Sequence, residues 1–233
     1  MSAYSQDIDA DARWPVETTR RMNRMYRRQR HIYDGTRRYY LLGRDRLIAD
    51  LQACAGARVL EIGCGTGRNL VRAAGLYPGA RFFGIDISTE MLTSAISAIS
   101  RHGLTDRIRV AHGDGTVFNP TALFGVQSFD HAMISYSLSM IPDWPRVLEA
   151  ATSHLKPGGR LHIVDFGNQE RLPAVTRRHL RWWLAMFDVT PRDELERVLS
   201  AMAESSGAEL SFERSFRGYA QYAVLTLPPT TIP

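Results

Sequence analysis

The chain has 233 residues, 44% of them hydrophobic and 23% charged, an ordinary globular composition with room for one large domain. A formal net charge of +5 and a pI of about 9.5 favour anionic partners: nucleic acid, anionic lipid or acidic small molecules. No apolar run approaches the roughly 20 residues of a bilayer span, no apolar h-region opens the chain, and Cys54 and Cys64 make neither a disulfide framework nor a metal spacing, so the expectation is a cytoplasmic protein with reduced thiols.

The charge is concentrated near the start. Between Arg13 and Arg46 eleven arginines meet three acids, Glu17, Asp34 and Asp45. Inside this region, "MYRRQRHIYDGTRRYYLLGRDRL" (Met25–Leu47) interleaves arginine with tyrosine. If it is largely helical, Tyr26, Tyr33 and Tyr40 recur with Arg30, Arg37 and Arg44 on one face, in steps of four and three residues. Gly35 weakens that helix in the middle, so two shorter helices are the alternative.

From about Ala57 short apolar strands alternate with helices. The expected order is strand 58–63, helix 68–77, strand 81–87, helix 88–100 capped by Ser88, strand 107–114, strand 129–137, helix 144–155, a "KPGG" turn and strand 160–167. This alternation implies βαβ units and a parallel sheet. Residues 168–206 exceed a plain crossover and read as two helices, the second starting at Thr190 as cap with Pro191 in first position. Two period-2 stretches, 208–216 and 219–227, joined at Arg217-Gly218, read as an antiparallel hairpin at the sheet edge.

"LEIGCGTGRN" carries the chemistry. Three glycines, Gly63, Gly65 and Gly67, stand between a strand and a helix, where a backbone can approach a ligand or take positive φ. The spacing is G-x-G-x-G. The dinucleotide fingerprint G-x-G-x-x-G would need a glycine at Arg68, so a nicotinamide or flavin reading is disfavoured.

The pattern E-x-G-x-G-x-G resembles motif I of class I S-adenosylmethionine-dependent methyltransferases. Asp86 in "GIDIS", Asp114 in "HGDG" and "HLKPGGRLHIVDF" continue the resemblance in order from Ala57 to Gly167. It implies an α/β fold: a doubly wound, mostly parallel seven-stranded Rossmann-like sheet, with N-terminal helices and a helical insertion before the C-terminal hairpin. It also implies S-adenosylmethionine as methyl donor, released as S-adenosylhomocysteine, and cofactor contacts from Glu61, Gly63, Gly65, Thr66, Gly67, Asp86, Ile87, Asp114, Gly115 and Ser135. Asp86 would take the ribose hydroxyls, since a carboxylate can accept both protons, and Asp114 the adenine amine.

The fold does not fix the substrate. Nucleic acid is disfavoured: the segment after the fourth strand reads "ISYSLSMIPDW", without the N/D/S-P-P-Y/F tetrapeptide of amino-methylating nucleic-acid enzymes. A soluble small molecule is compatible. A lipid head group fits the opening stretch, where arginine suits an anionic group and tyrosine rings suit a cationic amine. "RRHLRWW" (Arg177–Trp183) is a second such patch, and Arg, Tyr and Trp together suit a membrane interface.

"RHIYDGTRRYYLLGRDRLI" followed by "RVLEIGCGTGRNL" resembles the bacterial betaine-lipid (diacylglyceryl-homoserine) N-methyltransferases, from about Met22 to Phe166. That likeness implies successive methylation of a lipid amine at the inner membrane face, with contact to anionic membrane and a possible partner aminocarboxypropyl transferase. Phosphatidylethanolamine N-methyltransferases share the motifs and are the close alternative. Residues 1–50 would then form a helical lid and 51–233 the cofactor-binding domain, with the insertion at 168–206. The candidate catalytic residues are Tyr33, Tyr40 and Tyr136; the candidate substrate contacts are Tyr26, Tyr33, Arg37, Tyr40 and Arg44. Methyl transfer from a sulfonium is an in-line displacement needing alignment and an uncharged amine. No general base stands out; His112, His131 and His162 are expected to be packed in or beside core strands.

Overall fold

The computed structural model describes residues 41–230. Seven strands form one sheet: β1 Arg58–Ile62, β2 Arg81–Asp86, β3 Ile108–His112, β4 Phe129–Ser135, β5 Leu155–Phe166, β6 Glu209–Ser215 and β7 Ala220–Thr226. Their order is β3-β2-β1-β4-β5-β7-β6, and only β7 runs antiparallel to its neighbours. This is the mostly parallel, doubly wound sheet expected from the sequence. The order reverses between β1 and β4, where a crevice opens beyond the carboxyl ends of the strands.

Burial on both faces explains why the central strands read as near-continuous apolar runs. On one face Val59, Phe82 and Met133 pack under α1 (Arg44–Ala49), α2 (Arg68–Leu76), α3 (Thr89–Arg101) and α6 (Ala174–Ala185). On the other, Leu60, Phe129 and Ile163 pack under α4 (Pro120–Phe124), α5 (Trp144–Ser153) and α7 (Leu195–Ser206).

Local chemistry sets the element ends. Ser88 caps α3, its hydroxyl accepting the Met91 N–H at 3.3 Å, and Gly103 follows the helix with φ +65°. The sequence reading omitted α4, only five residues long; Asn119 caps it, accepting from the Thr121 and Ala122 N–H groups, with Pro120 first. The "KPGG" turn lies inside β5. Phe129 pairs with Leu155 and His131 with Arg160, so three extra residues bulge from the ladder, with Gly158 at φ +73°.

Two expectations need correction. Helix α7 begins at Leu195, not at Thr190. The Thr190 N–H donates to the Ser139 carbonyl at 2.9 Å, and Arg192 spreads over the loop after β4, so this segment is held against the loop instead of coiling. At the other end, helix α1 starts at Arg44, after Gly43 at φ +84°. The left-handed glycine interrupts any single helix running through Met25–Leu47, so Arg44 does not continue the face proposed for Tyr26 and Tyr40. The remaining positions of that face lie outside the described residues. Among the described residues no helix is long and apolar enough to cross a membrane.

Candidate active site

The turn after β1 places the site. Gly63, Gly65 and Gly67 take φ values of +72°, +54° and +74°, a region costly for residues with a Cβ. Their surroundings differ. A Cβ on Gly63 would sit 2.6 Å from Ser137 Cβ and one on Gly67 3.1 Å from Ala95 Cβ, whereas one on Gly65 would meet nothing within 4 Å. Gly63 is therefore demanded by protein packing as well as by φ, and Gly67 is closely packed. Gly65 faces open space. Gly67, itself an expected cofactor contact, precedes α2, between Thr66 and Arg68, which both line the cavity.

That open space is a cavity of about 420 Å³, within the usual range for small-molecule sites. The other nine expected cofactor contacts line it: Glu61, Gly63, Gly65, Thr66, Asp86, Ile87, Asp114, Gly115 and Ser135. Asp86 ends β2 with its carboxylate fixed from both sides: Oδ2 accepts the Gly65 N–H at 2.7 Å and Oδ1 the Ser88 N–H at 2.9 Å. Each oxygen has lone-pair capacity beyond these bonds. Asp114 is oriented by Thr116, whose N–H and hydroxyl both donate to Oδ1.

Glu61 is buried at 1% exposure. Its Oε1 accepts from Asn69 Nδ2 at 2.7 Å. Burial pushes its carboxyl up to about 8, against the Asn69 hydrogen bond and the charge of Arg44, which lower it. Arg44 and Asn69 also line the cavity. Glu61 Oε2, Asn69 Oδ1 and Ser135 Oγ are buried with no hydrogen-bond partner. Buried polar atoms are normally paired, so three orphans around one cavity suit a ligand rich in donors. The amino-acid end of S-adenosylmethionine has that chemistry: an ammonium for these acceptors and a carboxylate for Arg44. Its ribose suits Asp86, and Gly65 leaves the backbone bare where the nucleoside would pass. The residues present fit the cofactor.

The other wall is the loop after β4. Tyr136, at φ +55°, lines the cavity with its hydroxyl donating to the Leu42 carbonyl at 2.6 Å; burial and Asp165 push its pKa up. That hydroxyl is committed, so Tyr136 offers a ring and not a base. Met140, Ile141 and Pro142 continue the wall. Arg192 clamps the loop from the insertion: Nε donates to Leu138 O at 3.0 Å and Nη2 to Ile141 O at 2.7 Å. From below, Asp165 Oδ2 accepts the Ser139 N–H at 3.1 Å. Burial raises the Asp165 carboxyl to about 6, against these donors and the Arg192 charge.

Tyr26, Tyr33, Arg37 and Tyr40 lie outside the described residues. Arg44 is buried beside Glu61. His112, His131 and His162 do not line the cavity. The sequence reading missed Asn69 and the two clamps, and held Met140–Pro142 only within the stretch after the fourth strand. Asn69 had a signal, as a polar residue opening the helix that follows the glycine turn. The clamps had none, because their partners are distant in sequence.

A family described as a methyltransferase domain matches residues 54–202. Among curated proteins, a release factor glutamine methyltransferase from Gloeobacter violaceus is 32% identical over 140 residues, 56% of this chain and 44% of that protein. Methyltransferase GfsG from Streptomyces halstedii is 26% identical over 71% of this chain and 58% of its own. The chain thus spans about half the length of these relatives. Among solved structures, phosphoethanolamine N-methyltransferase 2 of Haemonchus contortus with S-adenosyl-L-methionine superposes with a TM-score of 0.64 at 17% identity, covering 80% of this chain and 52% of that one. Geranyl diphosphate C-methyltransferase of Streptomyces coelicolor A3(2), with S-adenosyl-L-homocysteine, gives 0.60 at 16%, covering 80% and 77%. At such identities the likeness is one of fold. The glycine turn, the fixed Asp86 and the family match lead to one conclusion: this chain belongs to the methyltransferase-domain family, and S-adenosylmethionine is its cofactor.

Proposed function

We propose that this chain is an S-adenosylmethionine-dependent N-methyltransferase acting on the amine of a lipid head group, with successive methylation of diacylglyceryl-homoserine to the betaine lipid as its reaction. The observation that carries methyl transfer is the cavity over Gly65, with Asp86 fixed on one side and the orphaned Glu61, Asn69 and Ser135 atoms on the other. The lipid acceptor is supported by the sequence likeness from Met22 to Phe166 and by the arginine–tyrosine stretch before the domain.

When bound, the cofactor supplies an electrophilic methyl group on a sulfonium with a neutral leaving group. Asp86 accepts from the ribose hydroxyls and Asp114 from the adenine amine, while Glu61 and Arg44 hold the amino-acid end. Together they fix the direction along which an amine must approach. Tyr136, Met140 and Ile141 make the acceptor side apolar, which favours the uncharged, nucleophilic amine. Tyr33 and Tyr40 would add aromatic faces that tolerate the growing cation; Tyr26 would add a further ring and Arg37 would hold the anionic part of the head group, with residues 1–50 acting as a lid. The working site is cytoplasmic, at the inner membrane face. A phosphatidylethanolamine or soluble-amine acceptor is the alternative.

The test is incubation of the full chain with methyl-labelled S-adenosylmethionine and a total bacterial lipid extract, followed by chromatography. Label in a betaine lipid is the expected result. Label in phosphatidylethanolamine derivatives would move the acceptor, and label only in water-soluble amines would end the lipid reading.

A further inference from the structure

Helix α6 is apolar on two opposite sides. Leu184 is buried in the core under the sheet. Val175, Trp182 and Met186 are 61%, 64% and 52% exposed. At 3.6 residues per turn these three fall within roughly a 40° arc, opposite Leu184. An amphipathic helix needs one apolar face to pack against its own domain; the second is surplus, and large side chains on it cost solvation.

The helix and its lead-in carry basic side chains only, with Glu170 and Asp188 just outside them. From Arg171 to Phe187 there are Arg171, Arg177, Arg178, His179 and Arg181, and no acid. Arg181 is engaged by Asp193 at 2.7 Å, while Arg178 on the helix and Arg171 before it are exposed. A second copy of this face is a poor cover, since a two-fold contact would set these cations against one another. The N-terminal stretch is poor for the same reason, with eleven arginines against three acids over Arg13–Arg46. A surface that is apolar below and anionic above satisfies both features at once. Aromatic and aliphatic side chains enter the acyl boundary, and arginines stay with the phosphates.

We propose that the outer face of α6 docks on an anionic bilayer, with Trp182 as its principal anchor. This deepens the lipid-acceptor reading and rests on it for its purpose. The placement suits that purpose. Four residues after Met186, the Thr190 N–H bonds the Ser139 carbonyl, and Arg192 then clamps Leu138 and Ile141. The element that meets the bilayer is thereby continuous with the wall of the acceptor space, so a head group at the interface needs little travel to reach the methyl donor.

The experiment is co-sedimentation of the full chain with phosphatidylcholine vesicles, with and without phosphatidylglycerol, in the absence of acceptor and cofactor. The wild type should bind the anionic vesicles, less so as salt rises. Trp182→Ser should lose roughly tenfold or more in vesicle affinity, as expected for a large apolar side chain withheld from the boundary; Arg178→Ser should lose the preference for anionic vesicles. Both positions are exposed, so unchanged melting and cofactor binding verify folding. Equal sedimentation of wild type and Trp182→Ser would overturn the proposal, as would equal binding to neutral vesicles. So would a wild-type dimer that Trp182→Ser dissolves, which would make the face a self-interface. Methyl transfer to detergent-dispersed lipid is read separately. Failure there with Trp182-dependent binding intact sinks the acceptor reading alone; transfer without such binding sinks the docking surface alone.

Discussion

His162 offers a test of the core that is independent of the cofactor. It lies on β5 with no exposed surface, neither ring nitrogen has a hydrogen-bond partner, and its ring centroid is 5.6 Å from that of His131. Burial, reinforced by His131 and Arg160, pulls its pKa down from 6.5 to about 3. The folded state thus refuses a proton that the unfolded chain accepts below 6.5. Stability from this group is complete above that pH and falls as pH drops toward 3. Between pH 7.5 and 5 the loss comes to about 2 kcal/mol, and its limit at low pH is roughly 5 kcal/mol. His162→Leu removes two unpaired polar atoms at similar volume, so the variant should be about 1–3 kcal/mol more stable near pH 7.5. It should also lack the 2 kcal/mol decline. Urea unfolding of both proteins at the two pH values reads the difference of differences. Glu61 and Asp165, whose raised pKa values act in the opposite sense, are common to both proteins and cancel. Equal acid sensitivity in the two proteins would refute a buried neutral imidazole.

The other predictions concern the site. Asp86→Ala should weaken S-adenosylmethionine binding at least tenfold in calorimetry, since hydrogen bonds to a carboxylate contribute roughly 1.5–3 kcal/mol each. Gly63→Ala and Gly65→Ala share a left-handed φ cost of about 1–2 kcal/mol, but only the first adds a clash with Ser137; thermal melts should show Gly63→Ala clearly the less stable, with Gly65→Ala folded and weaker for cofactor. Glu61 has its carboxyl raised to about 8 by burial, so the empty protein loses stability from this group as pH rises from 4.5 to 8. An ammonium at Glu61 favours the ionised form, so cofactor affinity should rise over that window, and Glu61→Gln should flatten the profile. Arg192→Ala frees the carbonyls of Leu138 and Ile141; the acceptor KM should rise while the cofactor Kd, measured by titration, stays within a few-fold.

What could be read from the sequence follows from the range of the interactions involved. The strands and α3 are set by residues next to one another: alternating apolar side chains, the Ser88 cap, a glycine after the helix. The cofactor side of the cavity is similarly local, because the ends of β1, β2 and β4 bring their own residues to one crevice once the strand order is fixed. Thr190-Pro191 was misleading for the opposite reason. As a local signal it specifies a helix start, but residues far away in sequence hold the segment, Ser139 through the Thr190 N–H and Gln221 through the Arg192 carbonyl, and the helix begins at Leu195. The acceptor wall depends on such distant partners throughout: Asp165 reaches Ser139 across 26 residues and Arg192 reaches Leu138 across 54. The glycine turn and the acids ending β2 and following β3 therefore speak to the methyl donor and are silent on the acceptor, which the sequence touches only through the stretch before the domain. Residues that tune acceptor choice should lie among those clamps and the loop they hold, where a substitution can reshape the wall without touching a motif.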